Sequence, residues 1–470
     1  MYIMRNLFNI NLIYIFLIAA EIAAIIFLLI CLPSYFPVAA VIIGIWSFSL
    51  ITAATAYYRG SSPEINCSVI LMITALPIIG AAFYLCSVLQ TKRRGILQVD
   101  CLPQSGDERA AHAVCGTGGA GYDKAVYFGN GDEFFNLLFK EIAKAEKLVC
   151  LEYFIVHGGK IFNRLINALR TAKSNGAEIY FIIDGIGSAF KLRRRELKTL
   201  RTVGATVKVF HRLKPLFYTG LNNRDHRKIA TVDGKVAFTG GFNIGDEYAN
   251  IESPYGYWKD NGVAVYGEAA KVFEGMFLSV WHKDYKTAIS NEGRHRCTIY
   301  YDSPPRLTGA LENFYMSAIS SAQKRVHIFT PYFCAGEKIN EALKLAAMRG
   351  VDVRIVIPHI PDKKYAFELS RTCASMLVDS GIKFYEYTPG FMHAKSVICD
   401  DRVFIGTYNL DFRSLRLNYE CGAIFDGEIC RRAERDFWDC MRLSMPFLPQ
   451  KISPFRAVYR FFLRLLAPLF

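Results

Sequence analysis

The sequence predicts an α/β protein in which two fused, duplicated lobes, each a sheet flanked by helices, follow an apolar helical N-terminus. Three observations carry the prediction. His226-Arg-Lys228-Ile-Ala-Thr-Val-Asp233 returns at the same spacing as His393-Ala-Lys395-Ser-Val-Ile-Cys-Asp400, and each copy is followed by a glycine-led run ending in asparagine, Gly240-Gly241-Phe242-Asn243 and Gly406-Thr407-Tyr408-Asn409. In both halves short β-branched apolar runs alternate with helical patterns, the layering of an α/β fold. Three long apolar stretches precede the first lobe.

Residues 7–32, 38–57 and 68–89 are each apolar over the roughly 20 residues that a spanning helix needs, so the region 1–94 is expected to cross a membrane three times. The first run is too long for a signal peptide, and no small-residue cleavage site follows it. Glu21, inside that run, reads either as a functional intramembrane carboxylate or as a hydrogen-bonded helix contact. Lys92-Arg93-Arg94 outweigh Arg5 and Arg59 and place the lobes on the cytoplasmic side, although with three spans Arg5 conflicts with that orientation.

Residues 95–122 read as a polar, glycine-rich linker. Lobe one, 123–290, shows helical patterns at 131–145 and 160–175 and buried strands at 147–156, 177–184 and 206–210. A charged helix at 191–198 offers either a solvated face or a contact for anionic headgroups. Lobe two, 291–450, repeats the layering with a helix at 311–322 and strands at 325–333, 351–358 and 382–387 before the second motif. In the basic segment 451–470, Arg456, Arg460 and Arg464 recur every four residues on an otherwise apolar helix, a composition suited to a membrane interface, with packing back on the lobes as the alternative.

Composition agrees with a membrane protein carrying a substantial soluble part: 470 residues, 52% hydrophobic, net charge +14. A basic chain implies an anionic partner, nucleic acid or membrane surface, and the apolar N-terminus decides for membrane. Thirteen cysteines are scattered without the spacing of a zinc site or a disulfide framework, and Cys399 beside Asp400 reads as a small strand residue.

Within the first motif, residues 228–232 read as a strand, Asp233-Gly234 as a two-residue turn and 235–239 as the returning strand. That hairpin pairs His226 with about Gly241 and puts His226, Lys228 and Asn243 on one face, around a single anionic group. In the second copy a turn at Asp400-Asp401 sets His393 opposite about Tyr408 and leaves Asn409 one residue out of register, a slip that a bulge could absorb. His226 and Asp233 lie seven strand residues apart, roughly 23 Å, which excludes a hydrolase-type triad within one motif. Asp233 and Asp400, although members of the candidate catalytic set with His226, Lys228, His393 and Lys395, therefore read as turn residues. The carboxylates that orient the imidazoles come from elsewhere, and Asp260 and Glu420 are the nearest downstream candidates.

An imidazole beside a lysine and an amide suits attack on a phosphodiester. One histidine forms a phosphoryl link, Lys228, Lys395, Asn243 and Asn409 stabilise charge on the phosphate oxygens, and the second histidine moves the proton. A lone His-x-Lys is more often structural; duplication with the trailing asparagine reverses that weighting.

The paired motifs resemble those of the phospholipase D superfamily. The runs 240–248 and 406–420, with Tyr257-Trp-Lys-Asp260, Thr330-Pro-Tyr-Phe333 and the segment 61–89, resemble its bacterial cardiolipin synthase family. The resemblance implies two phospholipase D-like lobes meeting at their motifs, a phosphohistidine intermediate, and neither metal nor other cofactor. It also implies Asp260 and Glu420 as the acids that support the histidines, and His226 as nucleophile with His393 as acid and base, a choice the residues themselves leave open. One departure is the serine usual after the first glycine, replaced by Gly241 and Thr407; only Thr407 keeps a hydroxyl.

The implied activity is a membrane-bound transfer of phosphatidyl from one phosphatidylglycerol to another, giving cardiolipin and glycerol. The expected partners are phosphatidylglycerol and the bilayer, with no nucleic acid; oligomeric state is not legible. The same chemistry with water as acceptor would make a phospholipase or a nuclease, but a nuclease has little use for three spans. A non-catalytic membrane scaffold would not need both motifs.

Overall fold

The computed structural model describes residues 36–59, 63–93, 119–189, 191–211, 223–281, 292–302 and 310–469, with Glu21, Ala23, Ile26 and Phe27 of an earlier helix. The chain forms two compact bodies, one of residues 1–96, 213–222 and 461–470, the other of residues 97–212 and 223–460.

In the first body, α1 (Phe36–Arg59), α2 (Pro63–Ala75) and α3 (Pro77–Arg93) pack through Ala53, Ala56, Ile73 and Ala81, small enough at three of four positions to let backbones approach. Among the described residues, α1 is the one helix long and apolar enough to cross a membrane, over Ala40–Tyr58. Its 24 residues reach about 36 Å. The expected third span, 68–89, is not one helix. Pro77 lacks an N–H and disfavours helix at Leu76, so the run divides there. The pieces, about 20 and 26 Å long, fall short of the roughly 30 Å hydrocarbon core. The bend is sharp: a Cβ on Gly80 would lie 2.5 Å from the Met72 carbonyl oxygen. Glu21 accepts hydrogen bonds from the Ile78 and Ile79 N–H groups at 2.6 and 3.1 Å and so caps the first turn of α3, a helix contact. The first expected span lies, apart from four positions, outside the described residues. Among the described residues the three-pass expectation is met by one candidate helix.

The second body holds two sheets of matching order. Lobe one runs β2 (Lys124–Phe128), α4 (Gly131–Ile142), β3 (Leu148–Tyr153), α5 (Lys160–Ser174), β4 (Glu178–Asp184), α6 (Arg194–Thr202), β5 (Ala205–Phe210), β6 (Ile229–Val232), β7 (Val236–Gly240), β8 (Tyr257–Lys259), β9 (Gly262–Tyr266) and α7 (Glu268–Trp281). Lobe two runs β10 (His295–Asp302), α8 (Ala310–Ser321), β11 (Arg325–Phe329), β12 (Phe333–Cys334), α9 (Glu337–Met348), β13 (Asp352–Pro358), α10 (Lys364–Ser375), β14 (Lys383–Tyr387), β15 (Gly390–Met392), β16 (Ser396–Cys399), β17 (Arg402–Gly406), β18 (Leu410–Asp411), α11 (Phe412–Arg416), β19 (Glu420–Phe425), α12 (Gly427–Arg442) and β20 (Ser444–Pro446).

The first sheet is ordered β2-β9-β7-β6-β3-β4-β5 and the second contains β10-β19-β17-β16-β11-β13-β14, the same path strand for strand. In each, the motif hairpin lies antiparallel beside the first of three parallel strands. A short strand, β1 (Ala120–Tyr122), at the end of the expected linker pairs with β10 of the second sheet, while β2, one residue later, enters the first. Residues 95–118 of that linker lie outside the described set.

One face of the first sheet packs under α4 and α5, whose Phe134, Phe135, Leu138, Leu165 and Leu169 are fully buried. The other core is shared. Ile229, Val263 and Val265 of lobe one meet Ile299, Ile405 and Ala423 of lobe two, with Phe273 of α7 and Phe437 of α12 packed among them. This shared apolar core joins the two lobes in one compact body and brings the two hairpins to one seam. Lys259 and Tyr127 of lobe one also meet Asp436 of α12, at 2.7 and 2.6 Å.

The C-terminal helix α13 (Pro454–Leu466) turns Arg456 and Arg460 onto Glu368 of α10, and leaves Phe455, Val458 and Tyr459 exposed. Those two arginines are packed back on a lobe, the alternative to headgroup contact.

Candidate active site

The site begins with the two hairpins. In lobe one the register is Ile229↔Thr239 and Val232↔Val236, so the turn is a three-residue loop, Asp233-Gly234-Lys235, with Asp233 and Gly234 at φ 55° and 64°. This corrects the expected two-residue turn. In lobe two Cys399 pairs with Arg402 across the expected turn at Asp400-Asp401. Extended to the histidines, the first register sets His226 opposite Phe242 and the second sets His393 opposite Tyr408. Each asparagine then lies one position beyond, and the slip between copies disappears.

Both histidine segments are stitched to the opposite lobe. The His226 N–H donates to the Tyr419 carbonyl at 3.0 Å and the Tyr419 N–H to Arg224 at 2.8 Å. The His393 N–H donates to Lys259 at 2.7 Å, and β15, which leads to His393, runs parallel to β8. The side chains cross in the same way. His226 Nδ1 lies 2.9 and 3.0 Å from the two oxygens of Glu420, and His393 Nδ1 lies 2.5 Å from Oδ2 of Asp260. Asp260 and Glu420 hold equivalent places after the two motifs, so each carboxylate serves the histidine of the other lobe. With Nδ1 engaged, Nε2 is the nitrogen free to attack or protonate a substrate.

Aromatic rings fix the imidazoles: Phe154 lies 5.0 Å from His226, and Trp258 and Tyr248 lie 4.9 and 5.6 Å from His393. Lys228 and Lys395 reach back to the carbonyls of His226 and His393 at 2.6 and 2.5 Å. Burial lowers Lys228 to about 7 and Lys395 to about 8. Burial, followed by the charges of Lys228 and Lys395, holds His226 well below its usual range; burial and Lys395 bring His393 to about 3. Lys228 and Lys395 each oppose protonation of both histidines.

The supporting acids differ. Burial raises Glu420 to about 7, opposed by Lys228 and by donors that include the Thr407 hydroxyl and the Asn418 amide. Burial also acts upward on Asp260, but the charges of His393 and Lys395, with hydrogen bonds from His393 and the Asn261 N–H, outweigh it and leave this carboxyl below its ordinary value. The two positions that depart from the usual serine follow from these acids. A Cβ on Gly241 would lie 1.8 Å from Asp260 Oδ1, whereas Thr407 spends its hydroxyl on Glu420.

Asn243 accepts from the Ile155 N–H at 3.0 Å and donates to the Tyr248 hydroxyl at 2.9 Å. Asn409 donates to Asp411 at 3.1 Å, and its buried Oδ1 has no hydrogen-bond partner among the described residues. Asp233 and Asp400 lie outside the site. Asp233 accepts from the N–H groups of Glu146, Lys147 and Leu148 at 2.9–3.0 Å, and Asp400 from those of Gln323, Lys324 and Arg325 at 2.8–3.0 Å. Their place in the candidate catalytic set is corrected accordingly: each ties a hairpin turn to the start of the neighbouring strand.

Sequence reasoning missed Phe154 and the tie of Asn418 to Glu420. Phe154 carries no signal beyond its place after β3. Asn418 stands two residues before Glu420, a same-face spacing that marks it as a neighbour.

A family model described as Cardiolipin synthase, PLD-like domain, matches residues 138–281 and 315–441, one segment in each lobe. A Streptococcus mutans protein without a functional name is 40% identical over 68% of this chain and 72% of its own length. The cardiolipin synthase of Geobacillus thermodenitrificans is 34% identical over 72% of this chain and 71% of its own. Among solved structures, phosphatidylserine synthase of Haemophilus influenzae superposes with a TM-score of 0.56 at 14% identity, covering 75% of this chain and 96% of that one, a likeness of fold. The chain belongs to the cardiolipin synthase family of phospholipase D-like phosphatidyltransferases.

Proposed function

We propose that the protein is a membrane-bound cardiolipin synthase that passes phosphatidyl from one phosphatidylglycerol to a second through a phosphohistidine. The observation that carries this reading is the crossed pairing of His226 with Glu420 and of His393 with Asp260.

Neutral His226, its Nδ1–H held by Glu420, attacks the phosphorus of the first lipid through Nε2. The P–N bond forms, the P–O bond to glycerol breaks, and His393 gives its proton to the departing glycerol oxygen. Asp260, held as an anion, stabilises the His393 imidazolium that this requires. A phosphodiester anion beside Lys228 and Lys395 offsets the positive charge that holds both imidazoles down. The terminal hydroxyl of a second phosphatidylglycerol then loses its proton to His393 and attacks the phosphorus, breaking the P–N bond and releasing cardiolipin. Lys228, Lys395, Asn243 and Asn409 are the groups around the phosphate oxygens.

The region 1–94 is the anchor, 123–290 and 291–450 are the catalytic lobes, and Lys92-Arg93-Arg94 set the lobes on the cytoplasmic side. Incubation of the detergent-solubilised protein with phosphatidylglycerol, followed by chromatography, tests the reading. Cardiolipin and glycerol in equal amounts support it; phosphatidic acid alone would make the protein a hydrolase.

A further inference from the structure

Joining two phosphatidylglycerols brings two phosphates to one site. One reacts; the other, on the acceptor, stays intact and keeps its charge one glycerol away. Lys228 and Lys395, bound back to the carbonyls of their own histidines, attend the reacting phosphate. A phosphate held beside an aromatic wall without its own cation is costly, so a third positive group near the pair would stabilise it.

Lys363 is the candidate. It occupies the loop between β13 and α10 as the N-cap residue of α10, is exposed, and pairs with no carboxylate among the described residues. Its ammonium lies 5.5 Å from the ring of Tyr332, whose hydroxyl is held by Asp362. Tyr332 packs 6.3 Å from Phe391, and Phe391 lies 5.9 Å from the His393 ring. One aromatic wall therefore runs from the ammonium to the second histidine. The charge of Lys363 also reaches His226, where it joins Lys228 and Lys395 in opposing protonation. The first-turn N–H groups of α10 add the positive end of a 12-residue helix at the same loop.

We propose that Lys363 binds the phosphate of the acceptor lipid and thereby selects a second anionic phospholipid over a small neutral alcohol as acceptor. The proposal rests on the reading of the protein as a cardiolipin synthase.

The test uses the full chain in mixed micelles of phosphatidylglycerol with labelled free glycerol. The phosphatidyl enzyme then partitions between cardiolipin and labelled phosphatidylglycerol, and both products are measured. Lys363→Ala should lower the ratio of cardiolipin to exchanged phosphatidylglycerol by about tenfold, the weight of one charge-assisted contact, and Lys363→Arg should restore most of it. An unchanged ratio overturns the proposal, as does an equal fall in both products, which would put Lys363 on the donor phosphate or in the fold. Exchange without cardiolipin in the wild type, or no transfer at all, would overturn the cardiolipin synthase reading and this proposal with it.

Discussion

Nδ1 of His226 lies 2.9 Å from Oε1 of Glu420, an acid that the opposite lobe supplies, and His393 takes Asp260 in the reciprocal exchange. Neither lobe alone holds a histidine with its supporting acid. The apolar packing of Phe273 and Phe437 holds the seam between the lobes together.

Replacing either acid should therefore cut turnover while leaving the fold. Glu420→Gln and Asp260→Asn are each expected to lower phosphatidyl transfer by about 10²- to 10⁴-fold, the range for losing the acid that holds a catalytic imidazole in its tautomer. Product formation with thermal unfolding of the same samples checks this. Activity within a few-fold of wild type in either variant would contradict the crossed assignment.

The lysines should set an alkaline limit. Lys228 and Lys395 are lowered by burial to about 7 and 8, so the empty site loses the charges that attract phosphate as pH rises through that range. Bound phosphate favours the charged forms and moves their titration upward. kcat/KM, which reports the free enzyme, should fall above about pH 7–8, while kcat holds to higher pH. Lys228→Arg, charged throughout that range, should shift the limit upward even at reduced rate. A kcat/KM that stays flat to about pH 9 would refute this account of the lysines.

Asp233 and Asp400 separate structure from chemistry. Each gathers three backbone N–H groups at a left-handed turn, φ 55° and 51°. Replacement by alanine removes the acceptors and strains the turn, at a cost of about 1–2 kcal/mol. The expected result is an unfolding temperature lower by about 2–4 °C, with kcat within about twofold of wild type in the cold. A loss of kcat comparable to that of a histidine variant would return these aspartates to the catalytic set.

Much of the site is legible in the sequence because a strand repeats every two residues and the motif occurs twice. That suffices to find both hairpins, to bring His226 and Lys228 to one region, and to exclude Asp233 as partner of His226. It does not suffice for the crossing of Glu420 and Asp260, since spacing along one segment carries no information about which faces of two lobes meet. Loop length misled the first register: Asp233-Gly234 has the composition of a two-residue turn, yet Lys235 joins it. Pro77 was visible inside the run 68–89, but hydropathy counts apolar residues and takes no account of a missing N–H. Thr407 shows how a hydroxyl beside a phosphate motif can serve the supporting acid instead.

Two histidines from separate lobes are proposed to serve one phosphorus, with His226 forming the covalent link. Phosphatidylglycerol labelled at phosphorus, mixed with the protein and quenched in alkali where a phosphoramidate survives, allows the labelled peptide to be mapped by mass spectrometry. The account predicts label on His226 in the wild type and none in His226→Asn. Label on His393, or on no histidine in a preparation that makes cardiolipin, would contradict it.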